Sequence, residues 1–157
     1  MKLHLIRHAK TEKSSASGKD FDRKLQPIGR NQAQDLSTFL LEKIPLDSKV
    51  ICSTASRTEE TLDAILHLNV FTNIEKDKSL YLCSRAYYLE CIWSESGNND
   101  LVFVGHNFGI SDLATYFLEE EMPMRTGEYI CIEFDIDNWS EAFRGNGGLV
   151  NRYRSGR

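Results

Sequence analysis

No stretch of the 157-residue chain is apolar for long enough to cross a bilayer. The first residues also lack a basic flank, a long apolar segment and a small-residue cleavage site, so the expectation is a cytoplasmic protein with no membrane partner. A basic surplus is missing too. Lys and Arg number 19 against 23 Asp and Glu, a formal charge of -4, which gives no general attraction to nucleic acid or anionic lipid. Any anion site must therefore be local. Cysteine is sparse and unpaired: Cys52, Cys83, Cys91 and Cys131 form no C-x-x-C spacing, and each lies in or beside an apolar stretch. Reduced, core-filling thiols are expected rather than disulfides or a zinc site. No internal repeat and no linker is present.

What remains is an ordinary globular composition, 41% hydrophobic and 10% aromatic, expected to form a single domain over residues 1–157. Lys2-Leu3-His4-Leu5-Ile6 reads as a buried first strand that stops abruptly at Arg7-His8. A polar, small-residue loop follows over Lys13–Asp20 and could form a partial lid. Pro27 opens a helix carrying Ile28, Ala33, Leu36, Phe39 and Leu40, and Pro45 closes it. Lys49–Ser53 reads as a second strand, and Ser56-Arg57-Thr58-Glu59 matches a capping box at the start of a helix with Leu62, Ile65 and Leu66.

Ser79–Leu82 is a weaker strand candidate, and the next helix is expected to bury Ala86, Leu89, Ile92 and Trp93. Leu101–Val104 is a strong strand that ends in Gly105-His106-Asn107, followed by Ile110, Leu113, Ala114 and Phe117 at helical spacing. Tyr129–Phe134 alternates like a strand, and Leu149–Tyr153 adds a last short one. This alternation predicts an α/β fold, a three-layer α/β/α sandwich around a mostly parallel sheet with an antiparallel late strand.

In such a sheet ligands bind beyond the carboxyl ends of the strands, and Arg7, His8, Arg57 and His106 all fall on that one rim. Two guanidinium forks can grip a phosphoryl group, and a neutral imidazole can attack phosphorus in line to give a phosphohistidine intermediate that water resolves. His8 is the expected nucleophile. His106, if protonated, would stabilise charge on the equatorial oxygens. His4 alternates within a strand and reads as structural, and His67 as exposed near a helix end.

Leu5-Ile6-Arg7-His8-Ala9-Lys10-Thr11 resembles the signature of the histidine phosphatase superfamily, also called phosphoglycerate mutase-like. Asp22–Leu25, Gly29–Ala33, Ser53–Thr61 and Val104–Asn107 resemble further segments of that family, so the likeness spans essentially the whole chain. It implies a phosphoglycerate mutase-like fold, His8 as the phosphorylated nucleophile, Arg7, Arg57 and His106 as phosphate-binding groups, and no metal or cofactor. The short length and the Arg-His-Ala-Lys form look most like the SixA-type branch, whose named activity is removal of phosphate from phosphohistidine in signalling proteins. The partner implied is a phosphohistidine-bearing protein; a small phosphorylated molecule is the alternative.

Larger members of the family supply a carboxylate general acid from the middle of the chain, and no position here matches it. Glu90 is available, and Asp20, Asp22 and Glu128 lie on loops. Expelling an alkoxide needs a proton donor, whereas imidazole is a far better leaving group, so the missing acid points to a phosphoramidate or an activated ester. The competing readings are a phosphatase of small phosphomonoesters and an inactive phosphate- or phosphopeptide-binding module.

Overall fold

Four strands are built from the buried apolar runs of the sequence, and two more complete the sheet. The computed structural model describes residues 1–156. Its strands are β1 (Lys2–Arg7), β2 (Lys49–Ser53), β3 (Asn73–Asp77), β4 (Leu101–Gly105), β5 (Tyr129–Phe134) and β6 (Gly147–Tyr153). Its helices are α1 (Pro27–Phe39), α2 (Ser56–Leu66), α3 (Arg85–Trp93) and α4 (Gly109–Leu118). The strand order is β3-β2-β4-β1-β5-β6, with β1 through β4 mutually parallel. Only β5 runs against the rest, because it is antiparallel to both β1 and β6.

The side-chain period of two sorts the core into two faces. Leu3, Leu5, Leu101 and Phe103 pack with Leu89 and Ile92 of α3 and Leu113 and Phe117 of α4. Ile6, Val50, Val102 and Val104 pack on the other face with Leu36 of α1 and Leu62 and Ile65 of α2. This is the expected three-layer α/β/α arrangement. Parallel central strands covered on both faces explain why their sequences are continuous apolar runs. His4 also points into the α1/α2 face, where its ring nitrogens meet the Tyr129 hydroxyl at 2.8 Å and Asp100 at 3.2 Å. His67 lies just past the end of α2 and is exposed. All four cysteines are free thiols, with Cys52 and Cys131 buried.

Several local expectations are corrected. Ser79–Leu82 is no strand: Lys78–Leu80 makes one 3-10 turn, started by Asp77, whose carboxylate accepts the Ser79 amide at 2.8 Å. The real strand is β3, whose side chains are exposed over most of its length, so it carries no apolar alternation. In α3, Leu89 and Ile92 are buried as expected, but Ala86 and Trp93 are exposed and Tyr88 fills the core instead. Helix α1 ends at Phe39, ahead of Pro45, and Ile28 is exposed. Helix α2 has no capping box: Ala55 holds the cap position and Ser56 lies inside the first turn. Its start is tied by Thr58, whose hydroxyl contacts the carbonyls of Ser53 and Ala55 at 2.8 Å each.

Candidate active site

The carboxyl ends of β1, β2 and β4 share one edge of the sheet, and there the structure brings Arg7, His8, Arg57 and His106 to a single cavity. Its volume is about 470 Å³. Arg7 closes β1, and His8 follows it with its amide still bonded to Gly105 of β4 at 3.2 Å. Gly105 is required there: a Cβ would stand 2.0 Å from the Tyr88 hydroxyl oxygen.

The backbone after His8 is held from three directions. The His8 carbonyl accepts the Gly127 amide at 2.9 Å, the Ala9 amide donates to Thr61 of α2 at 3.0 Å, and the Lys10 amide donates to Gln32 of α1 at 2.9 Å. A side chain on so constrained a backbone keeps one orientation, which is what a reacting group needs.

The tautomer of His8 follows from its contacts. Its Nδ1 lies 2.8 Å from the Ala9 carbonyl oxygen, which can only accept, so Nδ1 carries the proton. Nε2 is then an unprotonated lone pair, and it accepts from Nε of Arg57 at 3.3 Å. His8 is only 7% exposed, and burial, reinforced by Arg57, Arg7 and Arg23, lowers its pKa to about 3. His106 is held at about 3 by burial together with His8 and Arg57. This lowering favours the neutral form of His106 near neutral pH, so the protonated state on which its charge-stabilising role is conditioned is disfavoured. Its ring lies 5.3 Å from that of His8, its Nε2 meets the Ser53 hydroxyl at 2.8 Å, and its buried Nδ1 has no protein partner. Nε of Arg7 is likewise buried without a partner, while its Nη1 donates to the Met124 carbonyl at 2.8 Å.

The loop carboxylates separate clearly. Asp20 reaches the pocket, where it accepts from Arg57 at 3.0 Å, from the Tyr81 hydroxyl at 2.5 Å and from Nε of Arg23 at 2.9 Å. The Tyr81 hydroxyl and the two arginines hold its pKa at about 2 despite the opposing effect of burial, so it is an anion and not a proton donor. Asp22 accepts from Ser17 at 2.6 Å. Glu128 is buried and bound to Arg152, Arg154 and the Arg125 amide, which fixes it in place. Glu90 is exposed and does not line the cavity.

The residues Arg23, Tyr81, Ser53 and Asn107 were not expected as site members from the sequence. Arg23 sits in a segment that resembled the family, so a signal was present; Tyr81 was hidden by the mistaken strand. The cavity is strongly basic, with Lys10, Lys13 and Arg23 adding to Arg7 and Arg57 against Asp20, the one acid among the described residues that line it. Among the described residues, no group of three His, Cys, Asp or Glu side chains is placed to hold a metal ion. No helix there is long and apolar enough to cross a membrane.

Comparison with known proteins gives likeness of fold to solved structures and one family match. The fold is similar to a candidate phosphohistidine phosphatase SixA from Nakamurella multipartitia, at 21% identity over 99% of this chain and 96% of that one, with a TM-score of 0.85. It is equally similar to a candidate SixA from Agrobacterium tumefaciens, at 19% identity over 98% and 97% of the two chains, again with a TM-score of 0.85. A protein histidine phosphatase SixA complexed with tungstate matches at 20% identity, 97% and 96% coverage and a TM-score of 0.77. An uncharacterised chloroplastic protein of Arabidopsis thaliana is 26% identical over 90% of this chain and 70% of its own length. The model of the histidine phosphatase superfamily, branch 1, matches residues 3–81, half of the chain, and the chain belongs to that superfamily.

Proposed function

We propose that this protein is a metal-independent phosphatase that removes the phosphoryl group from phosphohistidine in a protein, acting through a covalent intermediate on His8. The observation that carries the reading is the state of His8: a buried imidazole with its proton locked on Nδ1 and its Nε2 lone pair turned to Arg57 in an arginine-rich cavity. An imidazole with a pKa of about 3 is unprotonated at neutral pH, so no base is needed to activate it.

In the first step Nε2 of His8 forms a bond to phosphorus as the bond to the leaving nitrogen breaks. The substrate's imidazole departs as a neutral base when its other ring nitrogen carries a proton, a state available around neutral pH. Arg7 and Arg57 hold the non-bridging oxygens, and the unpartnered Nε of Arg7 and Nδ1 of His106 are buried polar atoms that such an anion would satisfy. Ser53 accepts the Ala55 amide at 3.4 Å and can give its own proton to Nε2 of His106, which leaves Nδ1–H as a neutral donor. In the second step water attacks phosphorus, the bond to His8 breaks, and inorganic phosphate leaves.

The choice of substrate class is supported by the carboxylate of the cavity. Among the described residues that line it, Asp20 is the one carboxyl group and its partners keep it ionised, so an alkoxide would leave without a carboxylic acid to protonate it. Imidazole has no such requirement. The likeness to a protein histidine phosphatase complexed with tungstate, a tetrahedral oxyanion, supports the same reading. The test is to incubate the protein with a histidine-phosphorylated protein domain and follow loss of acid-labile phosphate. Release that disappears with His8→Ala is expected. Turnover of alkyl phosphomonoesters in preference to the phosphoprotein would favour the small-molecule alternative.

A further inference from the structure

Two large apolar side chains stand in solvent at the mouth of this cavity: Phe108 is 80% exposed and Leu82 is 53% exposed. Leu82 lines the cavity, and Phe108 directly follows Asn107, which also lines it. The backbone segments that carry them are packed together. Gly109, next to Phe108, packs so tightly on the carbonyl of Cys83, next to Leu82, that a Cβ would approach that oxygen to 2.2 Å. Beside Phe108 lies a second hollow of about 300 Å³ that shares Asn107 with the phosphate cavity. It is lined by Phe108, Met122 and Pro123 and by the acidic residues Asp112 and Glu121. The phosphate cavity itself carries the basic residues Lys10, Lys13 and Arg23.

An exposed aromatic next to a site is informative because it contributes nothing to the core and favours association. A small phosphorylated molecule would end within the phosphate cavity and gain nothing from Phe108. A folded protein that presents its phosphohistidine to His8 must lay the surrounding surface over the mouth. The acidic lining of the hollow, on a chain of net charge -4, opposes an anionic membrane and matches a basic side chain.

We propose that Leu82, Phe108 and the adjoining hollow form the docking surface for the phosphohistidine-bearing protein, with a lysine or arginine of that protein entering the hollow. Its aliphatic stem lies on Phe108 and Pro123 and its charge faces Asp112 and Glu121. This inference rests on the reading of the substrate as a phosphoprotein.

The experiment compares kcat/KM for a histidine-phosphorylated protein domain with kcat/KM for phosphoramidate, in the unaltered protein, Phe108→Ser and Glu121→Lys. The expected result is a loss of about tenfold on the phosphoprotein for Phe108→Ser, with phosphoramidate turnover unchanged. A smaller loss that fades at high salt is expected for Glu121→Lys. Equal rates for all three proteins on the phosphoprotein would overturn the docking surface alone, as would a parallel loss on both substrates. An unaltered protein that hydrolyses phosphoramidate but not the phosphoprotein would instead remove the reading beneath it. A dimer in sedimentation that is lost in Phe108→Ser would assign the patch to a second copy of this chain and overturn the proposal.

Discussion

Nε of Arg57 donates to Nε2 of His8 across 3.3 Å, so a guanidinium covers the lone pair of the imidazole. The same guanidinium donates through Nη1 and Nη2 to the backbone oxygen and carboxylate of Asp20. One buried arginine, 2% exposed, thus ties the nucleophile candidate to a carboxylate that shares its guanidinium.

Competition between Asp20 and phosphate follows from this arrangement. Replacing Asp20 with Ala removes an anion from Arg57 and Arg23 and should lower the inhibition constant of inorganic phosphate about fivefold, the scale of one partly exposed charge pair. Competitive inhibition assays measure it. An unchanged or weakened phosphate affinity would show that Asp20 orients Arg57 rather than competing for it.

Acid should destabilise the fold in a specific window. His8 and His106 each have a folded pKa of about 3 against an ordinary 6.5, so below pH 6.5 the unfolded chain binds more protons and stability falls as pH falls. The slope approaches about 1.4 kcal/mol per pH unit for each histidine between pH 6 and 4. Asp20, with its pKa lowered to about 2, contributes stability present above the ordinary carboxylate pKa of 3.8 and lost only below that, so it leaves this window to the histidines. Urea midpoints at several pH values should show a slope that His8→Asn reduces by one histidine's share.

Leaving-group chemistry separates the two substrate classes. With no carboxylic acid to protonate the departing oxygen, the rate on a series of aryl phosphates should rise steeply as the leaving phenol becomes more acidic. A flat series together with good alkyl-phosphate turnover would mean that a donor exists in the working site.

Gly105 sets the spacing between β4 and α3. Gly105→Ala drives a Cβ into the hydroxyl of fully buried Tyr88 and should cost about 1–3 kcal/mol in denaturant titrations. Adding Tyr88→Phe removes the atom at 2.0 Å and should recover much of that loss, a coupling that a double-mutant cycle reads directly.

The sequence made the rim legible because buried parallel strands are short apolar runs and their ends are marked sharply, at Arg7-His8 and at Gly105-His106. The four residues expected to converge do so, since each sits within a few positions of such an end. Strand β3 was illegible for the opposite reason: an exposed edge strand of Asn73-Ile74-Glu75-Lys76-Asp77 has no apolar period to detect. The contact of Asp20 with Tyr81 joins residues 61 positions apart through two loops, and no local pattern encodes it. The apparent capping box at Ser56 gives way to Thr58, two positions further into the helix, whose hydroxyl bonds tie the helix start to the end of β2.

The most direct test of the whole account is to quench the protein with a histidine-phosphorylated domain or phosphoramidate and map the acid-labile phosphate by mass spectrometry. The phosphate should reside on Nε2 of His8, and both label and turnover should vanish in His8→Ala. Label on another residue, or full turnover in a clean His8→Ala preparation, would contradict covalent catalysis at this imidazole.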